Sequence, residues 1–282
     1  MLTDYHVHLR PDDQDATAER SFTAANAERY REVASERGIE ELGVAEHVHR
    51  FVQSLEVTNN RWYRYWAHDD IDAYCGFVRD ETDLKLGIET DFLPGTEDRL
   101  ANLLDGRDWD YVVGSVHFLR DEIVDVHEEE PGWADMSVWR AARDPEKVWR
   151  AYFEMLGEAA RSGMFDILAH PDLVKVFGDT APRPDGDLRR FYERSMDGIA
   201  DSDVAIEVST AGLRKPVGEI YPAEPFLEMC LEAGRPVALS SDAHVPEQLG
   251  HEYERAVEWM RGLGVEEIAV FERRERRMEP LG

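Results

Sequence analysis

The stretch Leu2-Thr3-Asp4-Tyr5-His6-Val7-His8 decides the fold. Residues 2–6 read as a short strand of β-rich composition. In a doubly wound open sheet the first strand runs into a glycine-rich turn that cradles a phosphate. Here His6-Val7-His8 stands in that place. Side chains two apart on a strand share a face, so this strand delivers two imidazoles together at its C-terminal end. A barrel of parallel strands carries its chemistry at that end. A barrel is therefore the expected fold, with the open sheet as the alternative.

The same rhythm continues along the chain. Short β-rich runs at 41–45, 85–89, 111–116, 166–169, 204–208 and 236–240, with a weaker one at 267–271, alternate with charged segments of helical period at 23–37, 144–162, 187–200 and 222–233. Gly38, Gly163 and Gly234 sit where three of these helices should stop. The pattern predicts an α/β barrel of seven or eight units in a single domain over residues 1–282. The acidic, tryptophan-containing stretch 120–143 fits neither template and is expected as an insertion over one face.

Composition removes several classes of function. Asp and Glu number 60 against 32 Lys and Arg, a formal charge of -28, and the only lysines are Lys85, Lys147, Lys175 and Lys215. Nucleic acid and anionic membranes both require a basic surface, so neither is an expected partner. No apolar run approaches the roughly 18 residues of a membrane span, and Met1 to Asp4 has no signal-peptide character. Cys75 and Cys230 form no CxxC pair and suggest a reducing compartment. The expected setting is the cytoplasm.

The ends of the predicted strands share one chemistry. After His6 and His8 come His47, Glu89, His117 and His170, then Asp242 and His244 past the seventh run. Imidazole and carboxylate are the ligands of zinc, iron or manganese, and strand ends converging on one pocket can assemble a site for several ions. His49, just past its strand, reads as a loop residue, and His68, His127 and His251 as solvated ones. The Trp62, Tyr63, Tyr65 and Trp66 cluster reads as core before pocket wall. Glu128 to Glu130 read as a solvated loop.

Six segments carry a resemblance that spans nearly the whole chain: Asp4-Tyr5-His6-Val7-His8, Ala45-Glu46-His47, Gly87-Ile88-Glu89-Thr90-Asp91, Gly114-Ser115-Val116-His117, Ala169-His170-Pro171-Asp172 and Ser241-Asp242-Ala243-His244. The chain resembles the polymerase-and-histidinol-phosphatase (PHP) superfamily, and within it the histidinol-phosphate phosphatases. The resemblance implies a distorted seven-stranded (β/α) barrel holding two or three divalent ions (Zn, Fe or Mn). One position would use His6, His8, Glu89 and Asp242. A second would use Glu89 as a bridge with His117 and His170. A third would use His47, His244 and a ligand in the loop after His8. Many members place a histidine where this chain has Gln14, flanked by Asp13 and Asp15, and Asp15 is the expected replacement. Amidohydrolases also begin with HxH, but many bridge their metals with a carbamylated lysine, and no lysine lies at a suitable strand end here.

The implied reaction is hydrolysis of a small phosphomonoester, L-histidinol phosphate above all, by a metal-bound hydroxide, with Glu89 and Asp242 as catalytic residues. Arg214, in the loop after the sixth strand, is the expected phosphate-binding residue, since a guanidinium fork matches two phosphate oxygens. Lys175 is a second candidate. A phosphodiesterase or exonuclease of the same superfamily and a non-catalytic metal-binding module are the competing readings. The expected surface is an acidic exterior around a cationic mouth.

Overall fold

A computed structural model describes residues 1–13, 15–140 and 144–282. Seven parallel strands lie side by side in chain order: β1 (Thr3–Asp4), β2 (Glu41–His47), β3 (Lys85–Asp91), β4 (Tyr111–Ser115), β5 (Ile167–Leu168), β6 (Ala205–Ser209) and β7 (Val237–Ser240). The sheet closes just beyond the end of β1, where Val7 makes a parallel bridge to Ala243. His8 N–H donates to the Ala243 carbonyl (2.8 Å) and Ala243 N–H to that of His6 (3.2 Å). The result is a nearly closed barrel. Parallel strands wrapped in helices are buried on both faces, as the wholly buried β4 and β6 are.

The expected helices occur at Ala24–Glu36, Pro145–Arg161, Arg189–Ala200 and Glu224–Glu232, and Gly38, Gly163 and Gly234 all take positive φ just after the first, second and fourth of them. The run at 267–271 does not become an eighth barrel strand. Glu267–Glu272 turns back through Arg273 and Arg274, both at positive φ, and pairs antiparallel with Glu275–Pro280. The chain thus spends that strand's hydrogen bonds on a hairpin, and Ala269, Val270 and Phe271 pack under the barrel against Tyr5 and Tyr111.

Alternation within the strands separates floor from mouth. Gly43, Ala45 and His47 share one face of β2, as Gly87 and Glu89 do on β3. A methyl group at Gly43 or Gly87 would overlap Tyr111, whose buried side chain fills the space beside both. The glycines make room for that tyrosine below, and the same period places His47 and Glu89 above it. Residues 120–140 form part of the mouth. Phe118–Leu119 pairs with Glu122–Ile123, and Trp139 Nε1 is tied to the Val124 carbonyl at 2.7 Å.

Candidate metal centre

Glu89, 1% exposed, lies at the middle of the barrel mouth. Its Oε1 faces His117 Nε2 at 3.4 Å and His170 Nε2 at 3.3 Å. Its Oε2 faces His6 Nε2 at 3.3 Å and His8 Nε2 at 3.8 Å, and lies against His47 Nδ1. Asp242 Oδ1 is 3.8 Å from His6 Nε2 and 3.5 Å from His8 Nε2. Ligand atoms around one ion, each about 2.0–2.2 Å from it, stand roughly 3–3.5 Å apart. Three overlapping groups meet that spacing loosely: His6, His8 and Asp242; His6, Glu89 and His170; His8, His47 and His244, with ligand atoms within 4.8 Å of one another in each.

Unsatisfied atoms test whether ions fit. His6 Nε2 and both ring nitrogens of His8 are buried without a hydrogen-bond partner among the described residues. Leaving a buried polar atom unpaired costs about 1–3 kcal/mol, and a cation coordinated by these atoms removes that cost. Burial, together with His47 and His244, holds His8 well below the usual imidazole range, so its lone pair is free. Burial would push the Glu89 carboxyl up, but His47, His6 and His117 hold it well below the carboxylate range. Against burial, Glu207, Glu89 and Asp242 raise His6, and Glu89 and Asp91 raise His117 to about 10. Entering cations would displace those protons.

A second set of carboxylates orients the first. Glu207 Oε1 lies 2.8 Å from His6 Nδ1, and Asp91 Oδ1 lies 2.7 Å from His117 Nδ1. Each acceptor calls for a proton on Nδ1 and leaves Nε2 turned toward Glu89. Glu207 also accepts the His170 N–H and the Ser240 hydroxyl, each at 2.5 Å. Sequence reasoning missed Glu207. The available signal was its position in β6, on the same side as Ser209 and Ala205, where an otherwise apolar buried strand carries a single carboxylate. His170 (φ 23°) and Asp242 (φ 51°) both sit in the left-handed region directly after their strands, a strained conformation that needs support. For Asp242 that support comes from Asp4, which accepts the Ser241 N–H and hydroxyl, and from Arg214.

The expected substrate residues divide. Arg214 Nη2 donates to the carbonyls of Ser241 (2.8 Å) and Asp242 (2.9 Å), while its buried Nη1 has no partner among the described residues. Lys175 does not reach the mouth. It is 3% exposed, and its Nζ is held by Asp172 (3.0 Å), Glu219 (3.0 Å) and the Ile220 carbonyl (2.9 Å). Three partners therefore surround its ammonium group. Asp15 is exposed, with its N–H bonded to Asp13, and Asp12 is the acid that meets His244 Nε2, at 2.9 Å. Gln14 lies outside the described residues.

Beside His47 and His117 opens a cavity of about 420 Å³ walled by His49, Trp62, Trp66 and Trp133. Trp62 and Trp66 are therefore pocket wall, whereas Tyr63 is core and donates its hydroxyl to Asp91 (2.6 Å). His49 is buried among these rings. His127 is no free solvated residue either: it lines the cavity, bonded to the Thr180 carbonyl at 3.2 Å. Charges on the wall are mixed, Lys215 against Asp12, Asp125 and Glu130. Side chains alone do not make the mouth cationic; bound ions would have to.

Comparison with known proteins bears on this site. The PHP domain family model matches residues 18–211; His6, His8, Asp242 and His244 lie outside that span and rest on the geometry above. A probable histidinol-phosphatase of Deinococcus radiodurans is 38% identical over 204 residues, 70% of this chain and 70% of that protein. The histidinol-phosphatase of Bacillus subtilis is 23% identical over 244 residues, 82% of this chain and 91% of its own. Among solved structures, a histidinol phosphate phosphatase from Lactococcus lactis, complexed with zinc, L-histidinol and phosphate, superposes with a TM-score of 0.70 at 17% identity, covering 98% of each chain.

Proposed function

The chain belongs to the PHP domain family, and from that premise we propose that it is a metal-dependent phosphomonoester hydrolase that converts L-histidinol phosphate and water to L-histidinol and phosphate, a step of histidine biosynthesis. The observation that carries the reading is Glu89, one oxygen toward His117 and His170 and the other toward His6 and His8. A carboxylate so placed could serve two cation positions at once. His6, His8, Glu89 and Asp242 would hold one ion and Glu89, His117 and His170 another, drawn from Zn, Fe or Mn.

Such ions lower the pKa of bound water toward neutrality and offset charge on phosphoryl oxygens. The protein's own groups do the rest. Glu207 and Asp91 keep the His6 and His117 rings turned inward. The free Nη1 of Arg214 is available to a phosphoryl oxygen while Nη2 fixes the loop that bears Asp242. Trp62, Trp66 and Trp133 offer flat apolar faces to a ring-bearing leaving group, and Asp125 and Glu130 on the same wall favour a cationic one. L-Histidinol is both. No helix among the described residues is long and apolar enough to cross a membrane.

Phosphate release from L-histidinol phosphate, a generic aryl phosphate and a short oligonucleotide tests the reading. Turnover should be highest on L-histidinol phosphate; cleavage of the oligonucleotide alone would overturn it.

A further inference from the structure

A second cleft, of about 530 Å³, opens between residues 218–225, the first turn of the helix Arg189–Ala200 and the helix Tyr253–Gly262. It shares no residue with the proposed metal ligands or with the tryptophan-walled cavity beside His47. Its volume lies within the range of small-molecule sites, roughly 300–1,000 Å³.

The acids on its wall already hold partners. Glu219 takes the Lys175 ammonium (3.0 Å), Glu224 accepts the Trp259 Nε1–H (2.8 Å), and Asp187 accepts the Arg189 N–H (2.9 Å). The arginines are not matched in the same way. Arg189 reaches out of the cleft to Glu228 (2.8 Å), but Arg183 and Arg255 make no hydrogen bond or ion pair among the described residues. Arg183 is placed by a ring instead, its guanidinium 5.8 Å from the centroid of Trp149, and that contact leaves its N–H groups free. In a chain with 60 acidic side chains against 32 basic ones, two guanidiniums without an acid on one cleft suit an anion from outside, above all a phosphate, which accepts two N–H bonds from one fork.

The rest of the wall narrows the class of that anion. Trp259 is half-buried, and its bond to Glu224 fixes the plane of the indole; the buried Tyr192 lies in the same wall. A small inorganic anion would leave the indole unused and would face the free oxygens of Asp187 and Glu224, which repel it. A planar base resolves both conflicts, since its face can stack on Trp259 and its amino group can donate to a carboxylate. Stacking of one base on an aromatic side chain strengthens binding roughly 5- to 100-fold.

We propose that this cleft binds a nucleotide, with its phosphates on Arg183 and Arg255 and its base against Trp259. The site is separate from the hydrolytic centre, and the inference does not depend on the substrate assigned above.

Isothermal titration calorimetry of the metal-loaded full chain with α,β-methylene-ADP, whose P–C–P bridge resists hydrolysis, tests it. One equivalent should bind, and excess L-histidinol with inorganic phosphate, which fill the barrel mouth, should leave the affinity unchanged. Inorganic phosphate and adenosine, titrated separately, should each bind this cleft at least ~10-fold more weakly. Arg183→Ala and Arg255→Ala alter exposed side chains and should each weaken the nucleotide by ~10-fold or more, the worth of a charged hydrogen bond; circular dichroism reports whether each is folded. Trp259→Phe keeps an aromatic face and should retain most of the affinity, whereas Trp259→Leu should lose ~5-fold or more. The proposal is overturned if no nucleotide binds with a Kd below about 1 mM, if L-histidinol with phosphate displaces it, if both folded arginine variants bind it as wild type does, or if inorganic phosphate binds as tightly as the nucleotide.

Discussion

Replacing Glu207 by Gln changes little volume and removes no proposed ligand, yet it should weaken the whole centre. Glu207 is 1% exposed and accepts three hydrogen bonds: His6 Nδ1 at 2.8 Å and the Ser240 hydroxyl at 2.5 Å on one oxygen, the His170 N–H at 2.5 Å on the other. A carboxamide has one acceptor oxygen. If that oxygen takes the His6 side, the amide N–H₂ meets the His170 N–H, donor against donor, at a cost of about 1–3 kcal/mol. If the amide turns over, N–H₂ faces His6 Nδ1 and drives the ring proton to Nε2, which removes the lone pair aimed at Glu89. Either way a charge-assisted bond becomes a neutral one, about half as strong. Loss of such a supporting carboxylate typically lowers metal affinity or activity about 10- to 100-fold, or ~1.4–2.7 kcal/mol. Competition against a chromophoric chelator measures the affinity, and phosphate release at saturating metal measures turnover. A Ser240→Ala control removes one donor without touching His6 and should be mild. Glu207→Gln within about twofold of wild type in both assays would refute the claim that this carboxylate sets the His6 tautomer.

Lys175→Met leaves the fully buried Asp172 without its ion-pair partner; we expect a loss of about 3–5 kcal/mol in urea unfolding with KM unchanged in the folded fraction, and a raised KM at full stability would restore Lys175 as a substrate residue. Arg214→Lys loses the guanidinium fork, and kcat/KM should fall roughly 10- to 100-fold, the worth of one or two charged hydrogen bonds; wild-type kinetics would remove Arg214 from the site. Gly87→Ala drives a methyl group into the Tyr111 ring and should cost about 1–3 kcal/mol or more in thermal unfolding, whereas an unchanged melting temperature would contradict the packing described for the barrel floor. Burial pushes the Cys75 thiol up to about 12, so alkylation of the native protein near pH 8 should be slow and accelerate on unfolding, since only the thiolate reacts.

The barrel and most of the side chains gathered at its mouth were legible because each of them closes a strand run. Once the β-rich stretches were placed, His47, Glu89, His117 and His170 fell at their ends without any knowledge of pairing. What escaped depends on contacts across the barrel. Glu207 stands out in the sequence only as a lone carboxylate in an apolar strand, and its role appears when β6 places it against His6. Asp12, Asp13 and Asp15 are chemically equivalent in the sequence, and only the fold shows that Asp12 is the one that meets His244. Lys175 reads as a phosphate grip in the sequence, and only the fold shows its ammonium paired with Asp172 and Glu219. The run at 267–271 has the composition of an eighth strand, but the Arg273-Arg274 turn returns the chain on itself and ends the barrel at seven.

The joint between β1 and β7 is made by the Val7–Ala243 bridge, backed by the Asp4 carboxylate on Ser241. His6 and His8 stand on one side of that joint and Asp242 on the other, so an ion held by all three would be a clasp across it. The chemistry and the closure of the cylinder then share one fastener. Stripped of metal, this protein should loosen first along that line, and the hydrolytic centre would come apart together with the architecture that supports it.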